Sequence, residues 1–444
     1  MTTPAAFDVA NALDRPKLGR FGLRIVIISW LVTFFDGFDL NVIAFLAKPL
    51  QADFGLTTQT LGNVFSIGIF GTFLGGFIFG YLGDRIGRRP AILLATTSFS
   101  ALTFAIALSP NYPALLVLRF VNGLALGGAL PLIWSLNIEF APKRLRATII
   151  TLTMLGYGLG VTVAGPISRV VIPYFDWEGV FVVGAILSFG ATILLFFNLP
   201  ESLRYLVARK ERPDEVKRVL TRMGIAVPET PVELVLSDEA TTSSRNFRVS
   251  MLFEGSLKWL TPLLWLSYFS SSVSIFFITS WSPLILEDLG YSANQAALLV
   301  SMNSLFSAAG GLTLMRFTDR FGPISVALLP LTAVPLLLVA GLAPLSLTAF
   351  LFVLIPISVF LGGSHYGIQS ILGLFYPSTI RANGTGWCSG VAKIGSTLGP
   401  LIGGYLLATS IPVRMTYALL AVCPLVYGLA VLTIGIIVRR VHRS

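Results

Sequence analysis

Long apolar stretches recur along the chain at about 22 to 46, 59 to 82, 90 to 109, 112 to 138, 147 to 172, 178 to 199, 257 to 285, 292 to 315, 324 to 343, 347 to 374, 384 to 409 and 413 to 438. Each is long enough to cross a hydrocarbon core, which takes about 20 helical residues. Backbone groups in lipid must be satisfied within the segment, and these stretches lack the period-two alternation of an outer-membrane barrel strand, so helices are the consistent choice. The chain is therefore predicted to be an all-α integral membrane protein with twelve transmembrane helices, spans 1 to 12 in chain order. Between spans 6 and 7 lies the one long polar stretch, rich in Arg, Glu, Ser, Thr and Pro, with a short amphipathic helix expected around Pro213 to Met223. The predicted organisation is a tail over 1–21, a six-helix bundle over 22–199, a linker over 200–256, a second six-helix bundle over 257–438 and a tail over 439–444.

Composition agrees with this and adds a direction. The 444 residues are 55% hydrophobic and 12% charged, with a mean hydropathy of +0.82, whereas soluble domains carry roughly a quarter charged residues. Of the 31 basic residues, the loops on one side hold only Lys48, Arg169 and Arg414, and Arg119 and Lys393 lie inside spans; the rest belong to the tails, the linker and the loops on the other side. By the positive-inside rule both termini are expected in the cytoplasm. That placement also accounts for the net charge of +10, so no nucleic-acid partner is implied. The polar first twenty residues precede a span too long for a signal-peptide core, and the amino terminus is expected to be retained. Cys388 and Cys423 sit in apolar spans without metal-ligand or redox spacing and read as small buried hydrophobes.

A single offset superimposes Asp84 on Asp319, Arg85 on Arg320, Gly87 on Gly322, Gly127 and Gly128 on Gly362 and Gly363, Arg146 on Arg381, Trp30 on Trp265 and Gly160 on Gly395. One offset joining loops and helices alike marks a tandem duplication of a six-helix unit. Transporters built this way bind substrate near the midplane between the halves. The loop between spans 2 and 3 reads GYLGDRIGRRP from Gly80, with a weaker echo, MRFTDRFG, at the same place in the second half. Here the chain resembles the major facilitator superfamily, whose loop has the form G-x-L-x-D-R-x-G-R-R. That resemblance implies the major facilitator fold, and a cytoplasmic gate made by Gly80, Asp84, Arg85, Gly87, Arg88, Glu139, Arg146, Asp319, Arg320 and Arg381. Two readings of these charges stand: anchors of helix ends, or an ionic latch that closes the cytoplasmic side.

Within the superfamily, span 1 carries FFDGFDLNV, and the chain also shows PESLRYL at 200–206, YPSTIRANGTGW at 376–387 and the pair Gly399–Pro400. These resemble the aromatic acid:proton symporter family, carriers of benzoate, hydroxybenzoates and related acids. Such carriers commonly place Arg in span 11 where GVAKIG here has Lys393. Lysine keeps the attraction for a carboxylate but gives up the bidentate fork.

Intramembrane charges cost roughly 3 kcal/mol each on insertion scales and mark function by default. Asp36 and Asp39 share one helical turn and are candidates for proton coupling, against a structural pair satisfied by Arg119, Asn41 or Asn63. Arg119 is either a structural counter-ion for one of them or the group that tunes its proton affinity. Lys393 either binds an anionic substrate or pairs with Asp36 or Asp39 across the cavity. His365 is a structural histidine or a substrate or proton contact. By the resemblance, spans 4, 10 and 11 line the cavity, which adds Trp134, Asn137, Tyr366, Gln369 and Trp387 to the substrate-site candidates, a few of them as flat surfaces for an aromatic ring.

The function expected is uptake of an aromatic carboxylate with protons, by a monomer in a bacterial inner membrane. A proton-coupled antiporter is the alternative, because Gly156-x-x-x-Gly160 and Gly165–Pro166 in span 5 resemble an antiporter signature. No cofactor, metal or catalytic constellation is indicated: the chain has no Ser-His-Asp set, no metal-ligand spacing and no phosphate loop.

Overall fold

The computed structural model describes residues 6–13, 18–209, 212–225, 233–236, 247–321, 324–372, 374–377 and 379–441. Span 1 is Arg20–Val42, followed by a 3₁₀ turn over Ile43–Leu46 and a short helix over Ala47–Phe54. Spans 2, 3 and 4 are Thr58–Ile86, Arg88–Ala107 and Tyr112–Phe140. Spans 5 and 6 form one helical run, Arg146–Asn198, broken at Asp176, whose φ of 53° lies outside helical space just after Pro173. Spans 7 to 11 are Leu257–Asp288, Ala293–Phe321, Ile324–Leu342, Leu347–Ile371 and Arg381–Leu407. Span 12 comprises Met415–Leu420 and Val422–Val441.

Among the described residues, nine helices meet the length and apolarity of a membrane span. The remaining three of the twelve are accounted for. Spans 5 and 6 count as one run of 51 residues. Span 11, with Lys393 and many glycines, trades apolarity for polar groups and close packing, and the side chains of part of span 8 lie outside the described residues.

Helix starts on the face opposite the termini are fixed by local chemistry. The side chains of Thr57, Asn111 and Ser346 accept from the backbone N–H three residues on, at 3.2, 3.0 and 3.2 Å, and so begin spans 2, 4 and 10. Such caps satisfy donors that a helix leaves open at its first turn.

The two halves repeat one packing scheme. Span 1 packs on the helix of spans 5 and 6 as span 7 packs on span 11, span 2 on span 4 as span 8 on span 10, and span 3 on span 4 as span 9 on span 10. The duplication reaches single atoms. A Cβ on Gly160 would strike the carbonyl oxygen of Phe34, and one on Gly395 would strike that of Phe269, so each half needs glycine where its first helix crosses its fifth. The halves meet where span 2 packs on span 11 and span 8 on the helix of spans 5 and 6, contacts that the same offset relates.

On the terminal face, helices Leu203–Ala208 and Pro213–Arg222 bury Leu203, Leu206, Val216, Val219 and Leu220 against Phe79, Leu136, Phe140 and Leu195. A two-stranded parallel sheet joins Ala6–Asp8 to Glu233–Val235, so the amino-terminal segment and the linker form one cap on the first bundle.

Candidate functional site

Span 1 brings Asp36 and Asp39 to the interior, roughly 24 and 28 Å along the helix from Arg20, and both are 3% exposed. Their surroundings differ. Asp39 is held from three directions: Arg119 Nη1 lies 3.3 Å and Asn122 Nδ2 3.1 Å from its Oδ1, and the Thr103 hydroxyl donates to its Oδ2. Asn122 Nδ2 also reaches Thr103 Oγ1 at 3.4 Å. Arg119 is 1% exposed and lies against Gly68, where a Cβ would come within 3.1 Å of its Nη2. Spans 1, 3 and 4 are thus pinned to one another by a charge-neutral knot inside the first half.

Asp36 has no hydrogen bond or ion pair within 4 Å among the described residues; the charges that act on it are Lys393, from the second half, and Asp39. Tyr157 of span 5 is also within electrostatic reach of Asp36, and of Tyr366 across the interface. The Asn41 amide donates to Tyr157 Oη at 3.3 Å and to the Gly37 carbonyl at 2.8 Å, which leaves the tyrosine O–H free to donate. Lys393 lies about 18 Å along span 11 from Arg381. It is solvent-accessible despite that depth, its ammonium has no hydrogen bond or ion pair among the described residues, and the acidic group it feels is Asp36. The arrangement is a lone cation facing a lone carboxylate from opposite halves, beside a finished pair that belongs to one half.

The remaining sequence candidates divide. His365 Nδ1 lies 2.9 Å from the Ser271 hydroxyl, and its ring is 5.5 Å from Tyr268 and 6.3 Å from Tyr366. Ser271 is the counterpart of Asp36 under the internal offset, so the second half carries a serine–histidine pair at the equivalent place. Tyr366, Gln369 and Trp387 are exposed. Gln369 shares a hydrogen bond with Tyr268, and Trp387 stacks on Trp265 at 6.0 Å with 17° between the rings. Asn137 is buried and accepts from the Ser29 hydroxyl at 3.4 Å, while Trp134 is half-buried with no partner for its indole N–H among the described residues.

At the terminal face the signature loop is tied to the segment after span 6. Gly87 turns the chain with a φ of +103°, and a Cβ there would strike the Glu201 carboxylate. Glu201 Oε1 accepts from the backbone N–H of Arg88 at 2.9 Å and of Arg89 at 3.0 Å, capping the start of span 3. Burial raises the Glu201 carboxyl above the ordinary range, against the pull of these N–H groups and that of Ser202. Arg88 forms an ion pair with Glu139, whose other oxygen accepts from the Ser202 hydroxyl at 2.7 Å. The Arg85 carbonyl accepts from Tyr205 Oη at 3.1 Å and from Arg209 at 2.8 Å. Gly80 is open, with no atom within 4 Å of a Cβ placed there. Asp84, Arg85 and Arg381 are exposed, Arg381 donating to the Tyr376 carbonyl at 3.3 Å, while Arg146 keeps a buried Nε without a partner among the described residues. The side chains of Asp319 and Arg320 lie outside the described residues.

The Major Facilitator Superfamily model matches residues 29–284 and 264–444. The chain belongs to the Major Facilitator Superfamily. It is 32% identical over 404 residues to the 4-hydroxybenzoate transporter PcaK of Pseudomonas aeruginosa, covering 90% of this chain and 89% of that one. It is 30% identical to a gallate transporter of Pseudomonas putida, covering 97% and 96%. The inward-open xylose transporter XylE of E. coli superimposes with a TM-score of 0.70 at 17% identity, covering 94% of this chain and 95% of that one. The protein is therefore a multi-pass membrane transporter of the superfamily and not an enzyme.

Sequence reasoning missed Thr103, Asn122 and Tyr157. Asn122 was legible, being a polar residue one turn beyond Arg119 in an apolar run. Thr103 and Tyr157 carry no such signal, because spans hold many hydroxyls and most of them bond their own helix, as Thr33 does to the Ser29 carbonyl.

Proposed function

We propose that this protein is a secondary transporter that takes up a small aromatic carboxylate together with protons, in a bacterial inner membrane with both termini in the cytoplasm, and that the monomer is the transporting unit. The observation that carries the reading is the unpaired Lys393 ammonium facing the unpaired Asp36 carboxylate from the opposite half. The similarity to carriers of 4-hydroxybenzoate and gallate supports the substrate class.

The mechanism follows from charge balance in a low dielectric, where an unbalanced ion costs several kcal/mol. In the empty carrier Asp36 and Lys393 balance each other. A substrate carboxylate that reaches Lys393 takes over its charge, and Asp36 then stays neutral only by holding a proton. Rocking of the halves carries the acid and the proton together, and departure of the acid returns Lys393 to Asp36 and sends the proton on. Asp39, already neutralised by Arg119, holds the helices in register so that Asp36 meets the cavity. Tyr366, Gln369, Trp387 and His365 supply ring surfaces and hydrogen bonds around the substrate, with Trp134 and Asn137 on the opposing wall. The terminal-face charges form the gate that closes when the cavity faces outward.

The test is uptake of labelled benzoate, 4-hydroxybenzoate and gallate into cells expressing the protein, with and without an uncoupler. Accumulation of at least one acid that the uncoupler abolishes is the expected result. Expression that accelerates efflux while no acid is taken up would transfer the reading to the antiporter.

A further inference from the structure

The positive-inside pattern leaves three basic residues on the outer loops, and two of them converge on one carboxylate of the other half. Lys48, just after span 1, places its ammonium 3.3 Å from Glu287 and 3.1 Å from Asp288 at the end of span 7. Arg169 of span 5 reaches the other Glu287 oxygen at 3.1 Å. Glu287 is thus bridged to two cations from the first half, and its side chain is only 15% exposed. Beneath this cluster the halves touch through small groups. Gly62 lies against Pro400 and Gly404, Gly165 against Ala297 and Ser301, and Trp281 packs on Phe65 at 5.1 Å while donating to the Pro400 carbonyl at 3.0 Å. Contacts of this kind separate without leaving a charge unpaired, so the ion pairs are the part of the seal with a strong preference for one state.

We propose that Glu287 is the keystone of an outer ionic latch, in which Lys48 and Arg169 hold the outer side closed and set the balance between the inward-facing and outward-facing carrier. The word outer rests on the orientation proposed above; the latch does not depend on which solute is carried. Opening the outer side must part both bridges, so each pair weights the closed state. An ion pair at a partly exposed site contributes up to about 1 kcal/mol, which is about fivefold in the population of the two states.

The experiment places a reporter at Ser280→Cys, a buried position between the halves beside Asn41 and Phe65, in a chain with Cys388 and Cys423 replaced by Ala. Intact cells are treated from outside with a membrane-impermeant maleimide, and the labelling rate is read without substrate. Arg169→Gln and Glu287→Gln are each expected to raise that rate, by about fivefold for Arg169→Gln and more for Glu287→Gln. Arg169→Gln should add nothing once Glu287 is Gln, and Glu287→Asp should restore part of the slow labelling. Unchanged rates, or effects of Arg169→Gln and Glu287→Gln that simply multiply, overturn the latch. Lys48→Gln supplies a further variant should Glu287→Gln not reach the membrane. Faster labelling seen only in inside-out vesicles would keep the latch and reverse the orientation, which separates the two failures.

Discussion

Asp36 and Asp39 lie one helical turn apart on span 1, yet among the described residues only Asp39 has a partner within its own half, the Arg119 guanidinium at 3.3 Å. Removing one member of a buried pair leaves the other uncompensated, at about 3–5 kcal/mol. Asp39→Asn and Arg119→Ala are therefore expected to lower the yield and thermal stability of the protein in detergent, with transport lost in proportion. Asp36→Asn breaks no hydrogen bond and leaves an accessible Lys393 without its balancing charge, so it should cost clearly less stability than Asp39→Asn. Equal destabilisation by Asp36→Asn and Asp39→Asn would contradict the division of roles.

The coupling role makes a separate claim. Asp36→Asn keeps shape and removes titration, so proton-driven accumulation should fall to background while exchange of labelled acid between equal concentrations on the two sides survives. Accumulation that persists in Asp36→Asn and still collapses with an uncoupler would move the coupling site elsewhere, with His365 and Glu139 next in line.

Much of this was legible in the sequence, and the limits have physical causes. The duplication, the spans and the intramembrane charges could be read because each has a signal along the chain: an offset, a run of apolar residues, or an ion in lipid. The partition between Asp36 and Asp39 could not, because it depends on Thr103 and Asn122 arriving from two other helices. The cluster opposite the terminal face was half visible, since Lys48 and Arg169 stood out as rare cations in those loops, but their convergence on Glu287 is a property of how the halves dock.

Lys393 is predicted to act by charge. Lys393→Ala should weaken binding of the acid by at least tenfold, the effect of about 1.4 kcal/mol, and Lys393→Arg by much less, because the position presents an accessible ammonium with no fixed partner geometry. Equilibrium binding of labelled acid to membranes decides it, and equal affinities in the parent and Lys393→Ala would remove Lys393 from the anion site.

The proposed gate residues should affect movement and not affinity. Asp84 and Arg85 are exposed at the terminal face, far along span 2 from the midplane. Asp84→Asn is thus expected to slow transport severalfold while equilibrium binding stays within about twofold of the parent. Parallel losses in both would place Asp84 in the binding machinery.

The proposed charge balance of the site also predicts what drives the carrier. The empty form holds Asp36 and Lys393 as opposite charges, and the loaded form holds Lys393, a substrate anion and a protonated Asp36. Both sums are zero, and the Asp39–Arg119 pair is neutral throughout. Under that mechanism neither the loaded nor the returning carrier moves net charge across the membrane, so one proton is expected with each monovalent acid and the membrane potential should do no work on the cycle. In proteoliposomes, a pH gradient alkaline inside should drive accumulation of 4-hydroxybenzoate above that in protein-free liposomes, which corrects for passage of the neutral acid through lipid. An inside-negative potassium diffusion potential, imposed at equal pH, should drive none. Accumulation on the potential alone would show a second positive charge entering with the acid, and Asp36 could not then be the sole group that takes up a proton.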